Sequence, residues 1–171
     1  MANSTSFSYD VFLSFRGEDT RKGFTGNLYH ALDRMGIRTF FDDKELRKGE
    51  ELTPALSEAI QQSRISITIL SQNYAFSTFC LDELATILDC FQEKKQPRLV
   101  LPVFYGVNPS GLRHLRNSYG EALEGHEKRL KNDKDKFQDS REKLKFKEKI
   151  EKWKKALHIA ANLSGFPYNH G

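Results

Sequence analysis

Four short apolar runs alternate along the chain with segments of helical periodicity, and this alternation constrains the fold more than any other feature. Each run is rich in β-branched or aromatic residues, and three of the four are largely apolar, as strands covered on both faces should be. The runs lie at residues 9–15, 37–41, 65–70 and 99–104. Strands separated by helices pair in parallel through right-handed crossovers. The sequence therefore predicts an α/β fold, a doubly wound parallel sheet with flanking helices.

Helical patterns fill the intervals between these runs. Apolar residues recur at helical spacing from Phe24 onward and stop at Gly36, a typical C-terminal signal. Thr53 and Pro54 predict the N-cap and first turn of the next helix. Further helices are predicted at residues 80–91, shortly after Gly106, and around residues 150–161, where Gly165 and Pro167 end the pattern.

Size and cysteine content fit one domain in a reducing compartment. The chain has 171 residues and two cysteines, Cys80 and Cys90. On one helix these two would be separated by about 15 Å. A disulfide needs Cα atoms within about 7 Å, so we expect no intrachain bridge.

Charge and hydropathy argue against membrane and nucleic-acid partners. The net charge of +4 arises from a basic segment at residues 128–155, in which acidic residues are interspersed. We therefore favour a solvated helix face there over a surface for nucleic acid or anionic lipid. No stretch approaches the roughly 18 apolar residues of a membrane span, and residues 1–8 lack the pattern of a secretory signal. We expect a cytoplasmic protein, with the nucleus as a second location.

Several standard sites are missing from the sequence. It contains no G-x-x-x-x-G-K-[ST] motif and no G-x-G-x-x-G after the first strand, which argues against a P-loop nucleotidase and an ordinary dinucleotide-binding fold. The five histidines are scattered without cysteine partners, so no zinc site is expected. We expect neither a bound metal nor a cofactor.

Ligands of open parallel sheets bind beyond the carboxyl ends of the strands. Residues 16–21, 42–49 and 71–79 follow three of the predicted strands and feed that edge. Glu83 lies just beyond them, at the margin of the apolar stripe of the helix at residues 80–91. A carboxylate there can face a cleft, or it can simply complement the positive end of the helix dipole. Asp82 lies opposite the stripe and should be solvated.

Several ordered motifs resemble one family. The segment YDVFLSFRGEDTR at residues 9–21 is similar to the opening of plant Toll/interleukin-1 receptor (TIR) domains. Phe41-Asp42-Asp43, with Leu46 and Gly49, resembles their loop after the second strand, and Cys80-Leu81-Asp82-Glu83-Leu84 resembles the motif around their catalytic glutamate. Further matches lie at residues 103–110, at residues 118–122, and at Trp153 with residues 160–165. The resemblance covers residues 8–168 as a TIR domain, leaving residues 1–7 as a disordered N-terminus and 169–171 as a tail.

The resemblance implies a fold and an activity. The fold is a flavodoxin-like doubly wound parallel sheet of four or five strands. By this resemblance, we expect the domain to come from an intracellular nucleotide-binding, leucine-rich-repeat immune receptor or from a short relative made of the TIR domain alone. The activity is hydrolysis of NAD⁺, and of NADP⁺, to nicotinamide and ADP-ribose-type nucleotides. In the family that the motifs resemble, downstream lipase-like immune proteins sense these products, so the resemblance implies a role in defence and cell death. NAD⁺ is then a substrate and not a cofactor.

The resemblance also assigns roles to individual residues. Glu83 is the expected catalytic carboxylate, which stabilises positive charge on the ribose. The expected substrate-binding residues are Arg16, Gly17, Glu18, Asp19, Thr20, Arg21, Ser77, Phe79 and Cys80. Residue patterns alone explain Ser77 as a helix N-cap and Phe79 and Cys80 as core. Catalysis in the family depends on self-association with other TIR domains, and the positions expected to contribute are Gly26, Asn27, Asp42, Asp43, Gly49 and Gly120.

Two departures from the family pattern leave a second function open. Gly26 and Asn27 stand where many members have Ser and His, and Phe79 stands where Trp is common. Phe lacks the indole N–H and some contact area. The alternative is a catalytically silent adaptor or decoy that acts only by TIR–TIR binding.

Overall fold

The computed structural model describes residues 7–42, 51–93, 96–132 and 140–169. Within these ranges, five parallel strands form one sheet in the order β2-β1-β3-β4-β5. The strands are β1 (Tyr9–Ser14), β2 (Thr39–Phe40), β3 (Ser63–Leu70), β4 (Leu99–Tyr105) and β5 (Phe166–Tyr168). This order is the flavodoxin-like arrangement, and the predicted fold class is confirmed.

The second strand is shorter than the predicted run at residues 37–41. The Ile37 amide donates to the Leu32 carbonyl at 3.0 Å, which closes the end of the preceding helix instead of joining the sheet. Phe41 leaves the strand and stacks on Phe15, with ring centroids 5.1 Å apart. Pairing in β2 is therefore limited to Thr39 and Phe40.

The fifth strand is not among the four runs found in the sequence. It has three residues, and its middle residue is Pro167. Proline lacks an amide proton and is tolerated at a sheet edge, where β5 lies. Gly165 precedes it, and a Cβ there would lie 2.4 Å from the Pro102 carbonyl oxygen. Glycine therefore allows the chain to pass close to β4 before it pairs.

Helices separate the strands as predicted. The bounds are α1 (Gly17–Thr20), α2 (Phe24–Arg34), α3 (Pro54–Gln61), α4 (Thr78–Gln92), α5 (Pro109–Arg113), α6 (Asn117–Asn132) and α7 (Ser140–Asn162), and a 3-10 helix spans Tyr74–Phe76. The predicted stop of α2 is confirmed, because Gly36 has a φ of 76°. The predicted cap of α3 is also confirmed, because the Thr53 hydroxyl accepts from the Leu56 amide at 3.2 Å.

Helices lie on both faces of the sheet. On one face α2 packs against a buried cluster that includes Val11, Leu13 and Phe15. On the other face α3 and α4 cover a larger core. Burying each large apolar side chain contributes about 1.5–3 kcal/mol, so these two layers hold the strand ends in place.

The long helix α7 packs on the outside of α4. Trp153 of α7 is 1% exposed, and its indole Nε1–H donates to Asp82 of α4 at 2.9 Å. Lys149 lies 3.7 Å from the same carboxylate. The prediction that Asp82 is solvated is therefore wrong, because the sequence around it does not show which helix packs there.

Both cysteines are buried and free, as expected from their spacing. None of the helices in the described ranges is long and apolar enough to cross a membrane. Four predictions fall wholly or partly outside the described residues. They concern the N-terminal residues 1–6, the loop that contains Asp43 and Gly49, the charged segment at residues 133–139, and the final residues 170–171.

Candidate active site

The carboxyl ends of β1 and β3 lie side by side where the strand order reverses. Ser14, the last residue of β1, pairs with Thr68 of β3. In open parallel sheets this switch point is where ligands bind. The segments that leave these strands and the first turns of α4 form the candidate site.

Arg16 follows β1 and carries two acidic partners. Its guanidinium lies 3.1 Å from the Glu18 carboxylate and 3.0 Å from the Asp19 carboxylate. The Glu18 side chain is 79% exposed, whereas that of Asp19 is 13% exposed. Solvent therefore screens the Glu18 pair much more than the Asp19 pair.

Asp19 joins the segment after β1 to the segment after β3. Its carboxylate accepts from the Ser71 hydroxyl at 2.6 Å, the Asn73 amide at 3.1 Å and the Asn73 side chain at 3.4 Å. With Arg16, this gives the carboxylate a nearly complete set of donors. Asp19 thus fixes the shape of the site, and its role in the described structure is to hold the two loops together.

Arg21 joins the segment after β1 to the end of β2. Its guanidinium carbon lies 4.9 Å from the centre of the Phe15 ring and 5.4 Å from that of Phe41. The same guanidinium donates to the backbone carbonyl of Asp42. A Cβ at Gly17 would lie 3.1 Å from Arg21 Nε, so glycine at that position leaves room for this side chain.

Thr20 is turned away from the open edge of the site. It is 2% exposed, and its hydroxyl lies 2.6 Å from the Thr25 hydroxyl in a buried hydrogen bond. This contact ties α1 to α2. Among the residues at 16–21, Thr20 is therefore the one whose side chain the structure directs into the interior.

The start of α4 supplies one wall of the site. The Ser77 hydroxyl accepts from the Cys80 amide at 3.1 Å and caps the helix. Phe79 is 6% exposed and Cys80 is 1% exposed. Burial is the main cause that raises the pKa of the Cys80 thiol to about 12, so it stays protonated at neutral pH. These positions agree with the N-cap and core interpretations of the sequence.

Glu83 lies in the second turn of α4 and is buried, with 5% of its surface exposed. Burial is the main cause that raises the pKa of its carboxyl to about 8. The polar hydroxyl of Ser14 opposes this rise in the pKa, and the negative charge of Asp42 adds to it. A carboxyl with such a pKa is poised to change ionisation when a cation binds beside it.

Two residues of the site, Ser14 and Tyr74, were not among the candidates from the sequence. Both are fully buried, and their hydroxyl oxygens lie 2.7 Å apart. The Tyr74 hydroxyl also donates to the Cys80 carbonyl at 3.0 Å. A signal for Ser14 existed, because a polar residue in an otherwise apolar buried strand often marks a functional position.

The positions expected in self-association are spread over the molecule. Asp42 lies two residues after β2, and its negative charge acts on Glu83. Gly26 and Asn27 lie on α2, and Gly120 lies on α6. Cβ atoms at Gly26 and Gly120 would lie 2.4 Å from the Arg21 carbonyl oxygen and 2.1 Å from the Leu115 carbonyl oxygen. Both glycines are therefore required by close backbone contacts inside the domain, whatever else they do.

Comparison with known proteins identifies the family. The family model described as "TIR domain" matches residues 8–170 of the chain. This chain belongs to the TIR domain family. The resemblance inferred from the sequence motifs is thereby confirmed.

Individual relatives place this TIR domain among those of plant disease-resistance proteins. It is 49% identical over 167 residues to the disease resistance protein RUN1 of Vitis rotundifolia, which covers 97% of the chain and 11% of RUN1. It is 44% identical over 164 residues to the TMV resistance protein N of Nicotiana glutinosa, which covers 96% of the chain and 13% of that protein. The TIR domain thus spans little more than a tenth of each of these relatives.

A solved structure agrees with the fold. The TIR domains in the structure of the activated Roq1 resistosome share 43% sequence identity with this chain and superimpose with a TM-score of 0.76. The match covers 94% of this chain and 87% of the Roq1 chain. The five-stranded parallel sheet described above is therefore the TIR fold.

Proposed function

We propose that this TIR domain hydrolyses the bond between nicotinamide and ribose in NAD⁺, with NADP⁺ as a second substrate. The observation that carries the proposal is a buried glutamate, Glu83, at the switch point of the sheet. Membership of a family that includes domains of plant resistance proteins supports the same function. The products are nicotinamide and an ADP-ribose-type nucleotide, and the nucleotide acts as the signal in defence.

Charge development in the reaction explains why a carboxylate is needed. As the C–N bond breaks, nicotinamide leaves as a neutral molecule and the ribose acquires oxocarbenium character. Water then adds to the anomeric carbon and releases a proton. A carboxylate in a site of low dielectric constant stabilises this positive charge strongly. The substrate ribose carries the cationic pyridinium, which lowers the pKa of Glu83 when it binds and so favours the carboxylate.

The anionic part of the substrate suits the segment after β1. Arg16 has one exposed partner, Glu18, and a planar guanidinium binds phosphate well. In the proposal a phosphate group displaces Glu18, while Asp19 keeps its position through Ser71 and Asn73. Gly17 and Arg21 shape this side of the site, and Ser77, Phe79 and Cys80 line the ribose and nicotinamide side.

We also propose that activity depends on self-association, because the segment after β2 influences the charge around Glu83. Asp42 acts on Glu83, and its carbonyl is held by Arg21. A neighbouring TIR domain that repositions residues 42–49 would change the charge around Glu83. The Roq1 domains occur in a resistosome, and we propose that this domain is likewise active when clustered, with lipase-like immune proteins sensing its products in the cytoplasm.

The test is NAD⁺ consumption by the purified domain, both free and clustered on lipid-tethered or multivalent supports. We expect clustering to increase nicotinamide release and Glu83→Gln to reduce it at least 100-fold, a typical loss for a transition-state electrostatic contact. Asp82→Asn is the matched control, because Asp82 is the adjacent carboxylate but faces Trp153 of α7. Equal turnover by the wild type and Glu83→Gln, in clustered form and with folding intact, would leave the binding-only adaptor as the function.

A further inference from the structure

We propose that Arg21 is a positioning residue, whose guanidinium fixes the chain where it leaves β2 by stacking on two aromatic rings and bonding to the Asp42 carbonyl. The motif resemblance places Arg21 among the substrate-binding residues, whereas in this proposal the side chain acts without touching the substrate. The effect on turnover rests on the function proposed above. The position of the chain after β2 does not depend on that function.

The sheet itself does little to hold this part of the chain. Thr39 and Phe40 are the residues of β2 that pair with β1, and the next two residues, Phe41 and Asp42, lie beyond that ladder. Side chains must therefore fix Phe41 and Asp42, because the pairing of β2 ends at Phe40.

Aromatic stacking holds the side chain of Phe41. The centre of its ring lies 5.1 Å from that of Phe15, with 10° between the ring planes. It also lies 4.7 Å from the ring of Tyr29 on α2, with 22° between the planes. Phe15 is 6% exposed and belongs to the core cluster on this face of the sheet. Stacked rings at such distances attract one another, so Phe41 is tied both to the end of β1 and to α2.

Arg21 adds a cation and a hydrogen-bond donor to this stack. Its guanidinium carbon lies 4.9 Å from the centre of the Phe15 ring and 5.4 Å from that of Phe41, which is within the range of cation–π attraction. The same group donates to the Asp42 carbonyl. A guanidinium can do both at once, because its plane stacks on a ring while the N–H groups at its edge donate. Arg21 therefore fixes the side chain of Phe41 and the backbone of the next residue together.

The backbone of Arg21 is itself held in place. Its amide donates to the Gly17 carbonyl at 3.0 Å, and a Cβ at Gly26 would lie 2.4 Å from its carbonyl oxygen. A Cβ at Gly17 would lie 3.1 Å from its Nε, so glycine leaves room for the guanidinium. The preceding residue, Thr20, is hydrogen-bonded to Thr25 in the interior. Arg21 thus links the closely packed corner between α1 and α2 to the end of β2.

The residue that Arg21 holds acts on the site. The negative charge of Asp42 contributes to the raised pKa of Glu83. Arg16, the cation proposed to meet the substrate phosphate, has acidic partners of its own. Loss of Arg21 should therefore leave the anion-binding side in place and move Asp42 relative to Glu83. We expect the effect on kcat to exceed the effect on KM.

The first measurement is the ¹H–¹⁵N NMR signal of the Arg21 Nε–H in the ligand-free domain, assigned by its loss in Arg21→Met or Arg21→Lys. Aromatic rings that face a guanidinium shift its proton signals upfield. We therefore expect an upfield signal in the wild type that returns toward the usual arginine position in Phe41→Leu. Phe41→Tyr keeps the ring and should keep the signal. Lys22→Met is the matched control, because it removes the neighbouring exposed cation and should leave the signal unchanged.

Turnover of NAD⁺ by the clustered domain measures the consequence for the site. We expect Arg21→Met and Phe41→Leu each to lower kcat about tenfold with little change in KM, since small misplacements near reacting atoms are costly. The double variant should be no slower than either single variant, because both substitutions remove the same contact. Phe41→Tyr and Lys22→Met should behave like the wild type.

The outcomes separate this proposal from the proposed function. An Arg21 signal that Phe41→Leu does not move overturns the positioning role whatever the turnover. A raised KM with unchanged kcat in folded Arg21→Met also overturns it, and would assign Arg21 to substrate binding. If Arg21→Met does not fold, equal signals and equal kcat in Phe41→Leu and Phe41→Tyr overturn the proposal in its place. Conversely, absence of NAD⁺ turnover by the clustered wild type overturns the proposed function but leaves the NMR result standing.

Discussion

Burying a carboxyl group costs free energy, and Glu83 carries that cost in this TIR domain. Its pKa of about 8 lies above the ordinary value of 4.5. Between these values the folded state holds a proton that the unfolded state has released. The contribution of Glu83 to stability is therefore fully present below about pH 4.5 and is lost as the pH rises through 8.

Glu83→Gln should accordingly stabilise the domain in alkaline solution. Glutamine has nearly the same shape and cannot ionise, so at pH 9 we expect a gain of about 5 kcal/mol in the free energy of unfolding. At pH 4 the gain should vanish. Urea denaturation at both pH values measures this, with Asp82→Asn as the control that gains nothing at pH 9. An equal gain at both pH values would mean that burial of the charge is not the cause.

Gly26 shows how packing can override helix propensity. Alanine is favoured over glycine in a helix by up to about 1 kcal/mol. At this position, however, a Cβ would meet the Arg21 carbonyl oxygen at 2.4 Å. The substitution therefore forces the backbone of the preceding turn to move.

We expect Gly26→Ala to destabilise the domain by about 1–3 kcal/mol, the usual cost of overpacking. Gly125→Ala is the matched control, because a Cβ at this position of α6 would meet no atom within 4 Å outside its own stretch of helix. There the same change should stabilise by up to about 1 kcal/mol. Thermal denaturation of both variants gives the comparison, and a stabilised Gly26→Ala would show that the turn adapts freely.

Sequence reasoning at this scale succeeds where the cause is local. Thr53 caps α3 because its hydroxyl meets an amide three residues away, and that spacing is visible in the sequence. Ser14 and Tyr74 meet only through the fold, so nothing near either residue predicts their hydrogen bond. The requirement for glycine at residue 26 is equally hard to predict, because the Arg21 carbonyl oxygen that leaves no room for a Cβ lies in a turn outside α2.

Among the secondary-structure elements, α6 and the 3-10 helix are joined through His126. Its Nε2–H donates to the Ala75 carbonyl at 2.9 Å, and its Nδ1 accepts from Arg129 at 2.8 Å. These two partners require the neutral ring. Burial lowers the pKa of His126, the bond to Ala75 opposes this, and the Arg129 charge adds to it.

The stability of this contact should depend on pH. Because the folded pKa lies below the unfolded value of 6.5, the contribution is present above pH 6.5 and is lost as the pH falls through the folded value. His126→Gln keeps a donor and an acceptor but cannot take up a proton. We expect its unfolding free energy to fall less than that of the wild type between pH 7 and 5, while His158→Gln, at an exposed position of α7, behaves like the wild type. Parallel curves for all three proteins would contradict the argument.

The elements themselves were largely predictable, with instructive exceptions. Periodicity located α2, α3, α4 and the last helix, because each buries a regular apolar stripe. It overestimated β2, whose Ile37 is used to close α2. It also placed Asp82 in solvent, because the helix that packs there lies far away in the sequence.

For the whole molecule, β5 completes the sheet only if the chain can approach β4 closely. Gly165 makes that approach possible, and Tyr168 then stacks on Tyr105 with ring centroids 5.2 Å apart. The Gly106 amide donates to the Tyr168 carbonyl at 2.8 Å and reports on this pairing.

Gly165→Ala should therefore loosen β5 without unfolding the domain. A Cβ there would lie 2.4 Å from the Pro102 carbonyl oxygen and 2.8 Å from the Phe104 ring. We expect hydrogen exchange of the Gly106 amide to accelerate about tenfold, which corresponds to a local loss of about 1.4 kcal/mol. Gly111→Ala, where a Cβ makes only ordinary contacts, should leave that amide unchanged. Unchanged exchange in Gly165→Ala would show that the strand tolerates a side chain at its start.

The global topology was predictable to a greater degree than the site. Alternation of strands and helices restricts the sheet to parallel pairing, and the motif resemblance implied a flavodoxin-like sheet of four or five strands. The packing of α7 against α4, and the hydrogen bonds by which Asp19 joins the segments after β1 and β3, depend on distant contacts. For that reason, the sequence indicated which segments surround the site but not how their hydrogen bonds are distributed.

The lengths of the two outer strands have a consequence for a domain that is proposed to cluster. β2 pairs through two residues and β5 has three, one of them proline. Long, flat strand edges invite further strands and can seed amyloid-like aggregation when many copies are crowded together. Edges this short offer few backbone groups with which a strand of another copy could pair. Crowding of many copies should therefore favour reversible contacts through helices and loops over irreversible growth of the sheet.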